Sequence, residues 1–99
     1  MGSHDFATHL AEDRRLVLLR ILAEMPGYRS NSSVLRTLLE RWGHTPSRDQ
    51  VATDLLWLHE QGLLASEQVG TVLVVTLSER GHDVATGRAR VPGVARPGA

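Results

Sequence analysis

The sequence predicts a single mostly helical α+β domain in which three helices precede a two-stranded β-hairpin and a short closing helix. Three observations lead there. Apolar residues recur at three- and four-residue steps through the first two-thirds of the chain, the spacing of one helix face. That pattern is cut at Pro26-Gly27, Gly43 and Gly62, and two short stretches rich in β-branched residues follow around Gly70. With 99 residues, 41% of them hydrophobic, the chain is long enough for one core and too short for two.

The first helix is expected from about Phe6 to Met25. Leu10, Val17, Leu18, Ile21, Leu22 and Met25 form its apolar line, and Glu12 and Asp13 lie near the start, where the helix dipole favours carboxylates. Leu16 and Leu19 widen that line, so this helix is either well covered by the domain or used to pair with another copy. Pro26-Gly27 ends it. Ser30, Asn31, Ser32 and Ser33 offer N-caps to a second helix carrying Val34, Leu35, Leu38, Leu39 and Trp42, with Trp42 expected in the core. After the turn Gly43-His44-Thr45-Pro46, Ser47 and Gln50 make a capping box for a third helix that buries Val51, Leu55 and Leu58 and ends at Gly62. Leu63 to Val69 and Thr71 to Leu77 form the hairpin, and Ser78 caps a last helix over Glu79 to about Thr86, weakened by Gly81. Residues 1–5, opening with Met1-Gly2-Ser3-His4, read as a tag or a disordered start, and residues 6–87 as the folded domain. Residues 88–99, with three arginines, two prolines and two glycines, read as a flexible tail.

Composition removes several kinds of function. There is no cysteine, which excludes a disulfide framework, a thiolate metal site and a cysteine nucleophile. His4, His9, His44, His59 and His82 lack the i, i+4 spacing of a zinc-binding helix, and no phosphate loop or nucleophile elbow is present. Neither a cofactor, a metal nor a catalytic activity is therefore expected. No apolar run reaches the ~18 residues of a membrane span and no signal-peptide pattern opens the chain, which points to a soluble intracellular protein, in a reducing cytoplasm or a compartment indifferent to redox. Eleven basic residues, all arginine, balance eleven acidic ones. Zero net charge withholds the positive field of many nucleic-acid binders, whereas arginine forks suit bidentate contacts to phosphate and guanine.

Two short helices joined by a glycine-containing turn and followed by a hairpin make the winged helix-turn-helix plan. The stretch from Ser47 through Leu58 to Leu64 resembles the recognition helix and wing entry of that class. Leu77-Ser78-Glu79-Arg80-Gly81-His82-Asp83-Val84-Ala85 resembles the segment that leaves the wing in many bacterial regulators. A closer similarity is carried by Glu12-Asp13-Arg14-Arg15-Leu16-Val17, Pro26-Gly27-Tyr28, Gly43-His44, Ser47-Arg48-Asp49 and Gly87-Arg88-Ala89-Arg90-Val91-Pro92-Gly93-Val94. Through these the chain resembles small proteins of Mu-like phages and prophages commonly labelled as transcriptional regulators of the arsenic-repressor type. The resemblance implies a phage origin and a winged-helix fold. The cysteines through which arsenic-repressor relatives sense metal are absent here, so that mechanism does not carry over.

An α-helix fits the major groove, and a helix-turn-helix leaves one face of its last helix free to enter it. Advancing roughly 100° per residue from Val51 puts Asp49, Gln50, Thr53, Leu56, Trp57 and Glu60 on that face. Double-stranded DNA is accordingly the expected partner of a dimeric transcriptional regulator. Ser47, Arg48, Gln50, Thr53 and Trp57 would enter the groove, and Arg36, Arg80, Arg88 and Arg90 would meet the backbone. Asp49, Asp54 and Glu60 weigh against DNA, as does the uncharged hairpin tip Val69-Gly70-Thr71. The alternative is a module that grips another protein through Leu16, Leu19, Leu56 and Trp57. Trp57 equally suits a place under the hairpin or against the second helix.

Overall fold

The computed structural model describes residues 5–98. The expectation for Met1 to His4 lies outside the described residues. Asp5 is the N-cap of α1, its side chain accepting from the Thr8 amide, and the helix runs Phe6–Glu24. Its second half is buried at Leu16, Val17, Leu18, Leu19, Ile21 and Leu22, while Phe6 and Leu10 are exposed. A helix buried on so many successive positions needs cover on all sides, and α1 packs against each of the three other helices and the sheet. Leu16 and Leu19 are therefore core residues under the domain's own elements, which corrects their reading as a surface for a partner.

A tight turn at Pro26–Tyr28 leads into a short strand, β1 (Arg29–Asn31), and then α2 (Ser32–Leu39). The Asn31 side chain caps α2 by accepting from the Val34 amide. A second tight turn, Glu40–Trp42, ends in left-handed Gly43 (φ 83°), and α3 follows at Arg48–Glu60. Leu39 closes the buried line of α2, so Trp42 lies beyond the core edge, 48% exposed, with the Arg20 guanidinium 5.2 Å from its ring centroid. The expectation of a core tryptophan there is thus corrected.

Strands β2 (Leu64–Val69) and β3 (Val72–Leu77) pair antiparallel from Leu64 opposite Leu77 to Val69 opposite Val72, which leaves Gly70-Thr71 as a two-residue turn. Leu73, Val75 and Leu77 face the core in the alternation of a half-buried strand. The other edge of β3 pairs with β1, Arg29 opposite Thr76 and Asn31 opposite Val74. The sheet is therefore three-stranded, in the order β1-β3-β2, rather than the expected two. Arg29-Ser30-Asn31 has no apolar alternation of its own; its extended form comes from the open edge of β3.

The last helix, α4 (Glu79–Ala85), is capped by the Ser78 side chain, which accepts from the Gly81 amide. Gly81 is buried, and a Cβ there would sit 1.9 Å from the Leu63 carbonyl oxygen. The residue that lowers helix propensity is thus what lets α4 lie directly on the chain entering the hairpin. Beyond it, Val91 and Val94 are buried and the Ala95 amide donates to the Glu12 carbonyl. The expected flexible tail is a packed loop over the described residues, because Val91 and Val94 join the hydrophobic core. Replacing Gly81 with alanine should destabilise the protein in urea unfolding despite the ~1 kcal/mol of helix propensity gained. An alanine variant as stable as the parent would contradict this close approach.

Candidate functional site

Two opposite faces of α3 have different fates. Val51, Leu55 and Leu58 are buried, as their spacing predicts, and Asp54 is buried with them at 2% exposure. An isolated carboxylate there would be strongly penalised by desolvation. It is met instead by two neighbouring arginines of α1. Arg14 donates from Nε to Asp54 Oδ2 (2.5 Å) and from Nη2 to Oδ1 (3.4 Å), and Arg15 donates from Nε to Oδ1 (3.4 Å). Arg15 also donates from Nη1 to the Gly93 carbonyl (2.9 Å), and its guanidinium carbon lies 4.4 Å from the Trp57 ring centroid. Gly93, at φ 98°, presses on that ring so closely that a Cβ would fall 2.7 Å from Trp57 Cη2. One cluster thereby ties α1, α3 and the C-terminal loop together.

The cluster changes two expectations. Asp54 points inward and is neutralised by Arg14 and Arg15, so it does not oppose an anionic ligand at the outer face. Trp57 is partly buried, with the Arg15 guanidinium over its ring and Gly93 against its edge, so it does not stand free on the outer face.

The outer face keeps Asp49, Gln50, Thr53, Leu56 and Glu60 exposed, with Arg48 beside them. Leu56 is 47% exposed. A groove of about 450 Å³ runs between the start of α2 at Ser33 and Arg36, the α3 residues Arg48, Ala52 and Leu56, and the hairpin at Gln68 and Val72. Ser47 and Gln50 are committed to the helix start. Ser47 Oγ accepts from the Gln50 amide, and Gln50 Oε1 accepts from the Ser47 amide, which leaves the Ser47 hydroxyl proton and the Gln50 NH₂ group as donors. Arg36 donates from Nε to the Pro46 carbonyl (3.1 Å) and so braces the turn between α2 and α3 while keeping its terminal nitrogens exposed. Arg48 has no hydrogen-bond partner among the described residues. Arg80 donates to the Gln61 carbonyl at the end of α3, away from the groove, and Arg88 and Arg90 are exposed on the C-terminal loop.

The turn preceding α3 has a further anchor, for buried His44 places Nε2 2.7 Å from Asp13 Oδ2 of α1. Sequence reasoning missed both this pair and the Asp54 cluster. A signal for the second existed: the 100° count that turns Val51 and Leu58 inward puts Asp54 on the same side, where a carboxylate requires a cation. Nothing in the spacing of His44 or Asp13 pairs them.

Fold and site together define a small α+β domain whose third helix is anchored by an ion cluster on one side and open to solvent on the other. No family model matches it. It is 50% identical over 88 residues to the uncharacterized protein gp26 of Escherichia phage Mu, a match covering 89% of this chain and 91% of gp26. It is also 42% identical over 76 residues to an uncharacterized protein of Haemophilus influenzae, covering 76% and 74% of the two chains. The chain belongs to the family of phage Mu gp26, in keeping with an origin in a Mu-like phage. Neither relative's name speaks to transcription or to an arsenic-repressor type. No helix among the described residues is long and apolar enough to cross a membrane.

Substituting Asp54 with alanine leaves two largely buried guanidiniums without their counter-ion, which should cost about 3 kcal/mol in urea unfolding. Trp57 fluorescence should shift to the red as its cover loosens. A neutral substitution would show that the cluster does not hold α3.

Proposed function

We propose that this protein is a winged helix-turn-helix DNA-binding protein of a Mu-like phage, acting in the host cytoplasm as a transcriptional regulator. In this reading α2 and α3 are the helix-turn-helix, β2 and β3 are the wing, and the outer face of α3 enters the major groove. One observation carries it: with α3 held from behind by Arg14 and Arg15, the column Asp49, Thr53, Leu56 is left uncovered by the rest of the chain.

The chemistry of that face suits base edges. Arg48, with its whole fork free, matches guanine O6 and N7 or a phosphate, and Asp49 can accept from the cytosine amino group. Thr53 and Leu56 offer methyl groups to thymine. Gln50 can donate to a base acceptor through its NH₂ group while its Oε1 keeps the cap. Arg36 sits where the backbone would pass, its turn already fixed by the Pro46 contact. These cations are few for one module, and a two-fold pair on a palindromic site would double them. No catalysis or cofactor is needed for this role.

A second reading is favoured by one feature, the half-exposed Leu56 at the edge of a groove that also presents Ala52 and Val72. With Asp49 and Glu60 outnumbering Arg48 on the helix face, the same groove would suit a protein partner. Fluorescence anisotropy with a labelled duplex separates the two. The DNA reading predicts binding at ~50 mM salt that weakens steeply by ~200 mM, since phosphate contacts release counter-ions. Arg48→Ala should weaken it, and Thr53→Ala should alter sequence preference by ~1–3 kcal/mol. Absence of binding at the lower salt would contradict the proposal and favour the protein partner.

A further inference from the structure

We infer that the C-terminal loop, residues 86–98, is a second wing that grips the phosphate backbone along the flank of α3 opposite the hairpin. This rests on the DNA-binding reading above. The observation behind it is how charge is distributed in a chain whose total is zero. The hairpin, Leu64 to Leu77, contains no arginine and one carboxylate, Glu67. The loop contains Arg88, Arg90 and Arg96 and no carboxylate at all. The positive charge that a wing needs to hold phosphates is therefore in the loop.

The loop is also built to present it. Val91 and Val94 are buried, the Gly93 carbonyl accepts from Arg15, the Ala95 amide donates to the Glu12 carbonyl, and the Arg88 and Ala89 amides both donate to the Asp83 carbonyl. Its end returns towards its beginning, since a Cβ on Gly87 would lie 3.8 Å from Pro97. Compact loops with close ends and their own packed side chains hold a fixed shape. All three arginines are exposed, and none spends its guanidinium on a hydrogen bond within the described residues. A backbone ordered before binding lowers the entropy cost of each phosphate contact.

Position completes the case. The tip of the loop, Gly93, lies on Trp57. Trp57 is one helical turn beyond Thr53, so the two are surface neighbours on α3. Ala52 and Leu56 turn towards the hairpin and line the groove with it. The exposed column of α3 therefore has the hairpin along one edge and the tip of the arginine loop at the other. A helix in a major groove ~12 Å wide has a phosphate strand on each flank. One flank meets the nearly uncharged hairpin, and the other meets the tip of the loop that carries Arg88, Arg90 and Arg96.

The test is the salt dependence of duplex binding by the full chain and by the triple variant Arg88→Gln, Arg90→Gln, Arg96→Gln. Because these side chains are exposed and unbonded, the variant should melt at the parent's temperature. Truncation is no substitute, for it would also strip Val91 and Val94 from the core. The expected result is weaker binding and a log–log salt slope shallower by about 0.9 for each arginine that meets a phosphate, up to a total near ~2.7. If the parent binds and the variant keeps both its affinity and its slope, the second wing is overturned while the DNA reading stands. If the parent itself does not bind duplex at ~50 mM salt, both fall together.

Discussion

A helix can be rotated about its own axis at little cost unless something on one side insists on a partner, and in α3 that something is Asp54. Its carboxylate lies among Val51, Leu55 and Leu58, where apolar packing alone would tolerate a slightly turned helix. Loss of both arginine contacts would leave the carboxylate stranded in the interior, a penalty of several kcal/mol. Buried ion pairs add little net stability compared with well-packed apolar groups, so the cluster is better understood as fixing geometry. Because Arg14 and Arg15 are adjacent in sequence and grip the two oxygens of one carboxylate, they fix α3 in rotation and in height against α1. Everything presented by the outer face follows from that setting.

The same cluster explains why the chain's last segment is ordered. Arg15 serves three partners at once: Asp54, the Gly93 carbonyl and the face of Trp57. A glycine is required at 93 both for its left-handed backbone and because any side chain would strike the indole. The geometry that orients α3 therefore also docks the arginine-bearing loop beside it. Zero net charge thus conceals a local arrangement in which one acidic residue of α3 is neutralised internally and three arginines are gathered on one loop.

Much of this was legible in the residues, and the boundary is physical. Ser47 and Gln50, Ser78, the inward Val51, Leu55 and Leu58 of α3, and a hairpin around Gly70 are local signals, decided within a turn or two of helix or hairpin. Leu10 and Val34, by contrast, read as apolar-line residues of α1 and α2, are exposed. What was not legible depends on contacts between distant segments. β1 exists because β3 offers an open edge, and Trp42 lies outside because the core of α2 ends at Leu39. The loop at 88–98 has the composition of a free tail, yet two valines and one glycine suffice to seat it once Trp57 and Arg15 are in place. Among the expected site residues, Arg48 and Thr53 remain open on α3. Ser47 and Gln50 take part in the cap, Trp57 is partly buried, and Leu16 and Leu19 are core. Gly81, taken as a weakness of α4, is a requirement of its packing.

Amide chemical-shift mapping of the full chain titrated with a short duplex reports directly on which surface is engaged. The account predicts that the largest shifts fall in residues 48–57 of α3 and residues 88–96 of the loop, with little change along Phe6 to Leu10 or around Trp42. Shifts confined to the first half of α1 or to the Trp42 side would show that the face oriented by Asp54 is not the binding surface.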